Sequence, residues 1–137
     1  MIFGERLLNA VLAGEKTVTR RVSNGAPCKY LPGRTYALQP ARGRPGIGRI
    51  QVVSVRQECL GALTSADARA EGFAGRDEFF AYWRRLYRRV DPDLVVNRIE
   101  FRLVFDGYTC PGCGTPTVPA DQAHGRPPLC AGCKAAA

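Results

Sequence analysis

The chain has 137 residues, enough for one domain and a small appendage, and its 45% hydrophobic content is that of an ordinary globular protein. No apolar stretch approaches the roughly 18 residues of a membrane span, and the N-terminus lacks the basic start and apolar run of a secretory leader, so a cytoplasmic protein is expected. The net charge is +8, and of 20 basic residues 17 are arginine, which favours nucleic acid, a nucleotide or another anionic surface as partner.

Coding bias toward Arg, Ala, Gly and Pro gives the same excess, so the charge does not imply sequence-specific reading. In chain order, Ile2 and Phe3 read as a short strand. Leu7, Leu8, Ala10, Val11 and Leu12 read as a first helix, stopped by Gly14. Residues 15–22 then read as a strand or extended turn. Within it, Gly14-Glu15-Lys16-Thr17-Val18-Thr19-Arg20-Arg21 packs an ammonium, hydroxyls and two guanidiniums at a helix-to-strand turn. That is a cradle for a phosphate or a polar ring edge, or else a charged surface strand.

Residues 23–33 are loop by composition, with Asn24-Gly25, Pro27 and Pro32-Gly33. Tyr36 and Leu38 mark a short strand ending at Pro40. Residues 40–48 form a basic hairpin tip or loop in which Arg42 and Arg44 can clamp a nucleic-acid backbone or remain solvated. Ile50–Val55 reads as a buried strand. Thr64 then caps a helix, with Asp67 as a capping-box acid, and the helix ends at Glu71-Gly72. In the next helix Phe79, Phe80, Trp83, Leu86, Tyr87 and Val90 share one face, expected to be core. Arg84, Arg85, Arg88 and Arg89 occupy the opposite face, for phosphate or for solvent. Residues 98–105 alternate as a half-buried strand, with Ile99, Phe101, Leu103 and Phe105 inward. Short strands with a few helices between them predict a small α+β barrel.

Composition changes at Asp106-Gly107, which predicts a body over 1–106 and a tail over 107–137. In the tail, Cys110-Pro-Gly-Cys113 and Cys130-Ala-Gly-Cys133 are separated by sixteen residues. Two such knuckles fit a tetrahedral four-cysteine zinc site, and a segment so poor in apolar mass needs a metal to fold. With four sulfurs available the zinc is structural, and His124 is an exposed loop residue. Cys28 and Cys59 fall outside this pattern and read as plain thiols.

The body has no histidine, which excludes Ser-His-Asp chemistry there. Neither a Walker loop nor a G-x-G-x-x-G sequence is present. Any catalysis must rest on Lys, Thr, Ser, Tyr, Glu or Asp. Lysine is scarce, and Lys16 lies beside arginines that lower an amine pKa, with the Thr19 hydroxyl close in sequence.

The stretch Gly14–Arg21, after a Leu-Ala-Gly helix end, resembles the signature of ASCH domains, small PUA-like β-barrels linked to RNA-related functions. The stretch Leu63–Phe73 resembles the family's second motif, a helix that opens Leu-Thr and carries a glutamate. The resemblance covers 1–106 and not the tail. It implies a PUA-like barrel with flanking helices. Members of the family that hydrolyse N4-acetylcytidine use a lysine, a threonine and a glutamate, which map to Lys16, Thr19 and Glu71. The signature often has a glutamate where this chain has Thr19, and threonine there points toward the amidohydrolase branch. The implied roles are Lys16 as base, Thr19 as nucleophile and Glu71 as orienter of the lysine or partner of the leaving amine, with Arg20 or Arg21 steadying the oxyanion or the substrate's polar edge. Lys16 and Thr19 would point to opposite faces of a regular strand, so a turn or bulge after Gly14 is required. Two other readings stand beside this one: a non-catalytic RNA-binding module, and a ribonuclease.

Overall fold

The structure, a computed structural model, describes residues 1–110, 113, 115–119 and 132–133. Helix α1 (Glu5–Leu12) forms because Leu7, Leu8 and Val11 recur on one face and bury together. It stops at Gly14, whose φ of 77° suits glycine. The chain then folds back on the helix end, where the amides of Glu15 and Lys16 both donate to the Ala10 carbonyl at 2.9 and 3.1 Å. The next amide, of Thr17, donates to Ala70 O at 2.9 Å. Strand β1 (Val18–Val22) begins only after that.

The other strands are β2 (Thr35–Leu38), β3 (Gly48–Cys59), β4 (Val95–Thr109) and β5 (Pro116–Pro119). All named strand pairings are antiparallel, in the order β1-β4-β3-β2, with β5 on the far end of β4. The long β3–β4 ribbon carries register shifts at Arg49/Ile50 and Val52/Ser54, which bend it. The N-terminal segment lies between the two sheet edges. Ile2 bridges Gln39, the residue that follows β2, and its carbonyl accepts a bond from Arg21 of β1. The sheet thereby curls toward a barrel around Leu38, Ile50, Val52, Val96, Ile99 and Phe101.

Helix α2 (Ser65–Ala70) has the expected capping box, Thr64 with Asp67. Glu71 is its C-cap, and Gly72 follows at φ 94°. Helix α3 (Arg76–Tyr87) packs Phe79 and Trp83 inward.

Several expectations need correction. Strands β3 and β4 extend well beyond Ile50–Val55 and 98–105, because each supplies the other's ladder bonds even where the side chains are polar. Helix α3 ends at Tyr87, so Arg88 and Arg89 lie beyond it. Leu86 and Tyr87 are not core: they are 55% and 45% exposed, because the face of α3 carrying them overhangs a cavity.

Arg88 caps α3 in the left-handed region at φ 66° and is the single non-glycine residue with positive φ among those described. Arg88→Gly is therefore expected to stabilise the fold by about 1 kcal/mol. A higher urea midpoint at unchanged m-value would show it, and an unchanged or lower midpoint would count against the strain.

Candidate active site and cysteine cluster

The turn after Gly14 resolves the spacing problem posed by Lys16 and Thr19. Lys16 precedes β1 and Thr19 lies within it, and both line one cavity together with Glu71 from the end of α2. Lys16, Thr19 and Glu71 are 2%, 5% and 2% exposed, so they form the deep end. Phe3, Leu7, Phe73, Phe79 and Trp83 wall the cavity, and exposed Leu86 and Tyr87 form its mouth. Its volume is about 90 Å³, room for roughly three water molecules.

Glu71 organises the deep end. Its Oε1 accepts from Lys16 Nζ at 3.0 Å, and its main-chain carbonyl accepts from the same nitrogen at 2.9 Å. The third Lys16 donor goes to Val18 O at 2.7 Å. All three protons of an ammonium are thus placed. The other carboxylate oxygen of Glu71 faces Arg20 Nη1 at 3.4 Å. Burial pulls the Lys16 pKa below the usual lysine range. The charge and hydrogen bond of Glu71 oppose that shift, and the neighbouring Arg21 and Arg20 add to it.

Arg20 is a structural cation. Its side chain is fully buried, with Glu58 Oε1 at 2.7 Å and Asp67 Oδ2 at 3.4 Å besides Glu71. Burial pushes the Asp67 carboxyl up, but the Thr64 bonds and the charges of Arg20 and Arg98 outweigh it and hold the pKa below its ordinary value. Arg98 completes the network, within 3.8 Å of Asp67 and 3.7 Å of Glu100.

Arg21 is placed differently. It donates to Ile2 O at 2.9 Å and lies over the Phe3 ring, and its Nε is buried without a hydrogen-bond partner among the described residues. Among the described cations lining the cavity it alone is not tied to a carboxylate. The Thr19 hydroxyl makes no hydrogen bond among the described residues. The Trp83 indole N–H is likewise buried and unpartnered among them.

The remaining arginines are not gathered at this cavity. Arg42 and Arg44 are exposed on the β2–β3 hairpin tip. Arg84 is exposed on α3, and Arg85 borders a shallow depression with Glu5 and Arg6. Arg88 is exposed, whereas Arg89 lines a second cavity adjoining the first. Sequence reasoning overlooked Glu58, Tyr82 and Phe3, and it took Asp67 only as a cap. The one available signal was an excess of acidic residues at Glu58, Asp67 and Glu71 in a basic chain.

At the end of β4, Cys110, Cys113 and Cys133 bring their sulfurs within 4.8 Å of one another. Cys110 is buried, and its amide donates to Thr115 O at 2.7 Å, closing the knuckle turn. Three thiols at this spacing can hold a metal ion. Cys130 and His124 lie outside the described residues.

No family model matches the chain, and no curated protein does. Solved structures do share its fold. A protein of the DUF984 family from Enterococcus faecalis superposes with a TM-score of 0.60 at 20% identity, over 76% of this chain and 72% of that one. An ASCH domain from Lactobacillus crispatus gives 0.57 at 18% identity, over 74% and 70%. The ASCH protein of Zymomonas mobilis gives 0.53 at 14% identity, over 78% and 70%. The mixed helix and antiparallel-sheet fold is that of ASCH domains.

Glu71→Gln keeps the shape of the deep end but removes the counter-charge of two buried cations. A loss of about 3–5 kcal/mol in unfolding free energy is expected. Pairing it with Lys16→Met should recover part of the loss. If Glu71→Gln alone costs less than about 1 kcal/mol, the pair is not the keystone described here.

Proposed function

We propose that the protein is an amidohydrolase acting on the N4-acyl group of a modified cytidine, with Thr19 as nucleophile, Lys16 as general base and Glu71 as its orienter. The observation that carries this reading is a buried lysine with a lowered pKa, clamped by a carboxylate, sharing a narrow cavity with an unpartnered threonine hydroxyl. Aromatic walls suit the flat face of a pyrimidine.

In this scheme the neutral Lys16 amine takes the Thr19 proton as Oγ adds to the acyl carbon. The oxyanion develops near Arg21, whose Nε is unpaired. The C–N4 bond then breaks, and the amine leaves with the proton held by Lys16. A water repeats the attack on the Thr19 ester, releases the carboxylic acid and restores the hydroxyl. The neutral amine donates its two N–H groups to two of the acceptors Val18 O, Glu71 O and Glu71 Oε1, and gives up the third contact so that its lone pair can face Thr19.

A second reading, a base-binding module without catalysis, is favoured by the complete hydrogen bonding of Lys16 as an ammonium. One assay separates the two. Wild type should release cytidine from N4-acetylcytidine, and Lys16→Ala and Thr19→Ala should each lower kcat/KM by at least 10³-fold, a size typical for base and nucleophile. Because the reactive form is the neutral amine, kcat/KM should rise with pH to a plateau through an ionisation below the ordinary lysine value of 10.5. Full activity in Thr19→Ala would sink the scheme, and absence of turnover by folded wild type would favour the binding module.

Residues 107–137 are proposed to form a structural zinc tail. Cys110, Cys113 and Cys133 would supply three thiolates and Cys130 the fourth. A tetrahedral ion with Zn–S bonds of about 2.3 Å places its sulfurs about 3.8 Å apart, consistent with the observed cluster. One zinc per chain is expected by elemental analysis. Cys113→Ser should weaken retention against a chelator, and less than 0.2 zinc per chain in protein purified with added zinc would refute the assignment.

A further inference from the structure

The carboxylates behind Arg20 serve the chemistry of the site as well as its packing. The Arg20 Nε and Nη2 atoms both reach Glu58 Oε1 of β3, at 2.8 and 2.7 Å. Asp67 Oδ2 of α2 and Glu71 Oε2 are each farther away, at 3.4 Å. The guanidinium is fully buried, so salt and water screen these contacts little. Its charge is therefore taken up mainly by Glu58. Glu71, held loosely by Arg20, leans on Lys16 instead, at 3.0 Å. One carboxylate thus stands between two cations, and the partner behind Arg20 decides how it is shared. Fold stability alone would be met by a tight Arg20–Glu71 pair. The observed division keeps Glu71 for the lysine.

The groups that bear on the Lys16 amine come from several elements. Glu71 favours the ammonium, while burial and the Arg20 and Arg21 charges of β1 disfavour it. Tyr82 of α3 lines the same cavity. Behind Arg20, Arg98 of β4 lies 3.8 Å from Asp67 and 3.7 Å from Glu100, and Arg56 of β3 lies 3.7 Å from Glu58. Within this set Glu58 makes the closest contact with Arg20.

We propose that Glu58, aided by Asp67, is a positioning residue for proton transfer: by drawing the Arg20 guanidinium away from Glu71, it leaves that carboxylate to Lys16 and so sets the pH at which the amine loses its proton. The inference rests on reading Lys16 as the base of the site, and it extends that machinery to β3. Glu58 acts on Lys16 through Arg20 and Glu71. Without the Glu58 charge, Arg20 turns to Glu71 and the ammonium loses part of its counter-charge. The amine is then deprotonated at lower pH.

The test reads the amine directly, by NMR of the full chain labelled with carbon-13 at lysine Cε. The lysines are Lys16, Lys29 and Lys134, so Lys29→Arg and Lys134→Arg assign the remaining signal to Lys16. In Glu58→Gln the Lys16 titration midpoint should fall by about one pH unit relative to wild type, the size expected on removing a charge beside a buried ion pair. Asp67→Asn should lower it by less, since that carboxylate stands farther from Arg20, and it carries the test if Glu58→Gln fails to fold. Glu58→Asp keeps the charge and should stay within about 0.3 pH unit of wild type. Glu100→Gln removes an acid that pairs with Arg98, and it should likewise move the midpoint by less than about 0.3 pH unit. The rising limb of kcat/KM should shift with the midpoint. Glu58→Gln is then several-fold faster than wild type at a pH below both midpoints, a gain that lost packing would not give. The proposal is overturned by a midpoint that stays or rises in the folded Glu58→Gln or Asp67→Asn variant. An equal fall in Glu100→Gln or Glu58→Asp overturns it too. If the midpoints move as stated while N4-acetylcytidine is not deacylated, the control of Lys16 by Glu58 stands and the amidohydrolase reading falls.

Discussion

Two cations buried beside one carboxylate set the terms for this protein. Lys16 and the Arg20 guanidinium are both withdrawn from water, and Glu71 faces each of them with a different oxygen. Burying an unpaired charge costs several kcal/mol even after relaxation, so the surroundings must be arranged to prevent it. The capping box places Glu71 at the end of α2. The bond from Thr17 N to Ala70 O holds the Lys16 turn against that end. Glu58 on β3 and Asp67 on α2 supply Arg20 with the remaining counter-charge. Helix, turn and sheet are thus registered on one another by electrostatics as much as by apolar packing.

The same arrangement explains why the neighbouring arginines behave differently. Successive strand residues alternate between faces, so Arg20 and Arg21 are directed apart. Arg20 enters the ion network, and Arg21 turns toward the cavity and the Phe3 ring. One supports the fold; the other keeps a buried Nε without a hydrogen-bond partner among the described residues. A lysine whose every proton has an acceptor is held as a fully hydrogen-bonded ammonium at the bottom of the cavity.

Features set by local chemistry could be read from the sequence. The Thr64–Asp67 box, the glycine stops at Gly14 and Gly72, the alternation in β4 and the pairing of Cys110 with Cys113 all depend on residues close together in the chain. What could not be read depends on contacts across it. The burial of Arg20 needs Glu58, 38 residues away, and charged strand residues otherwise look like surface. Periodicity assigned Leu86 and Tyr87 to the core because it marks a helix face without saying whether anything packs against that face. The position of Arg89 turned on a helix that ends at Tyr87, a boundary set by the left-handed Arg88.

The closure of the barrel governs when the site comes into being. Strand β1 finds its partner about 80 residues later, with Val18 opposite Glu100. The N-terminal segment waits for Gln39. Contacts so distant in sequence form slowly, since the loops they close cost entropy before any ladder bond is gained. The backbone of Val18, Thr19 and Arg20 therefore gains its ladder partners only once residues 98–100 have been made.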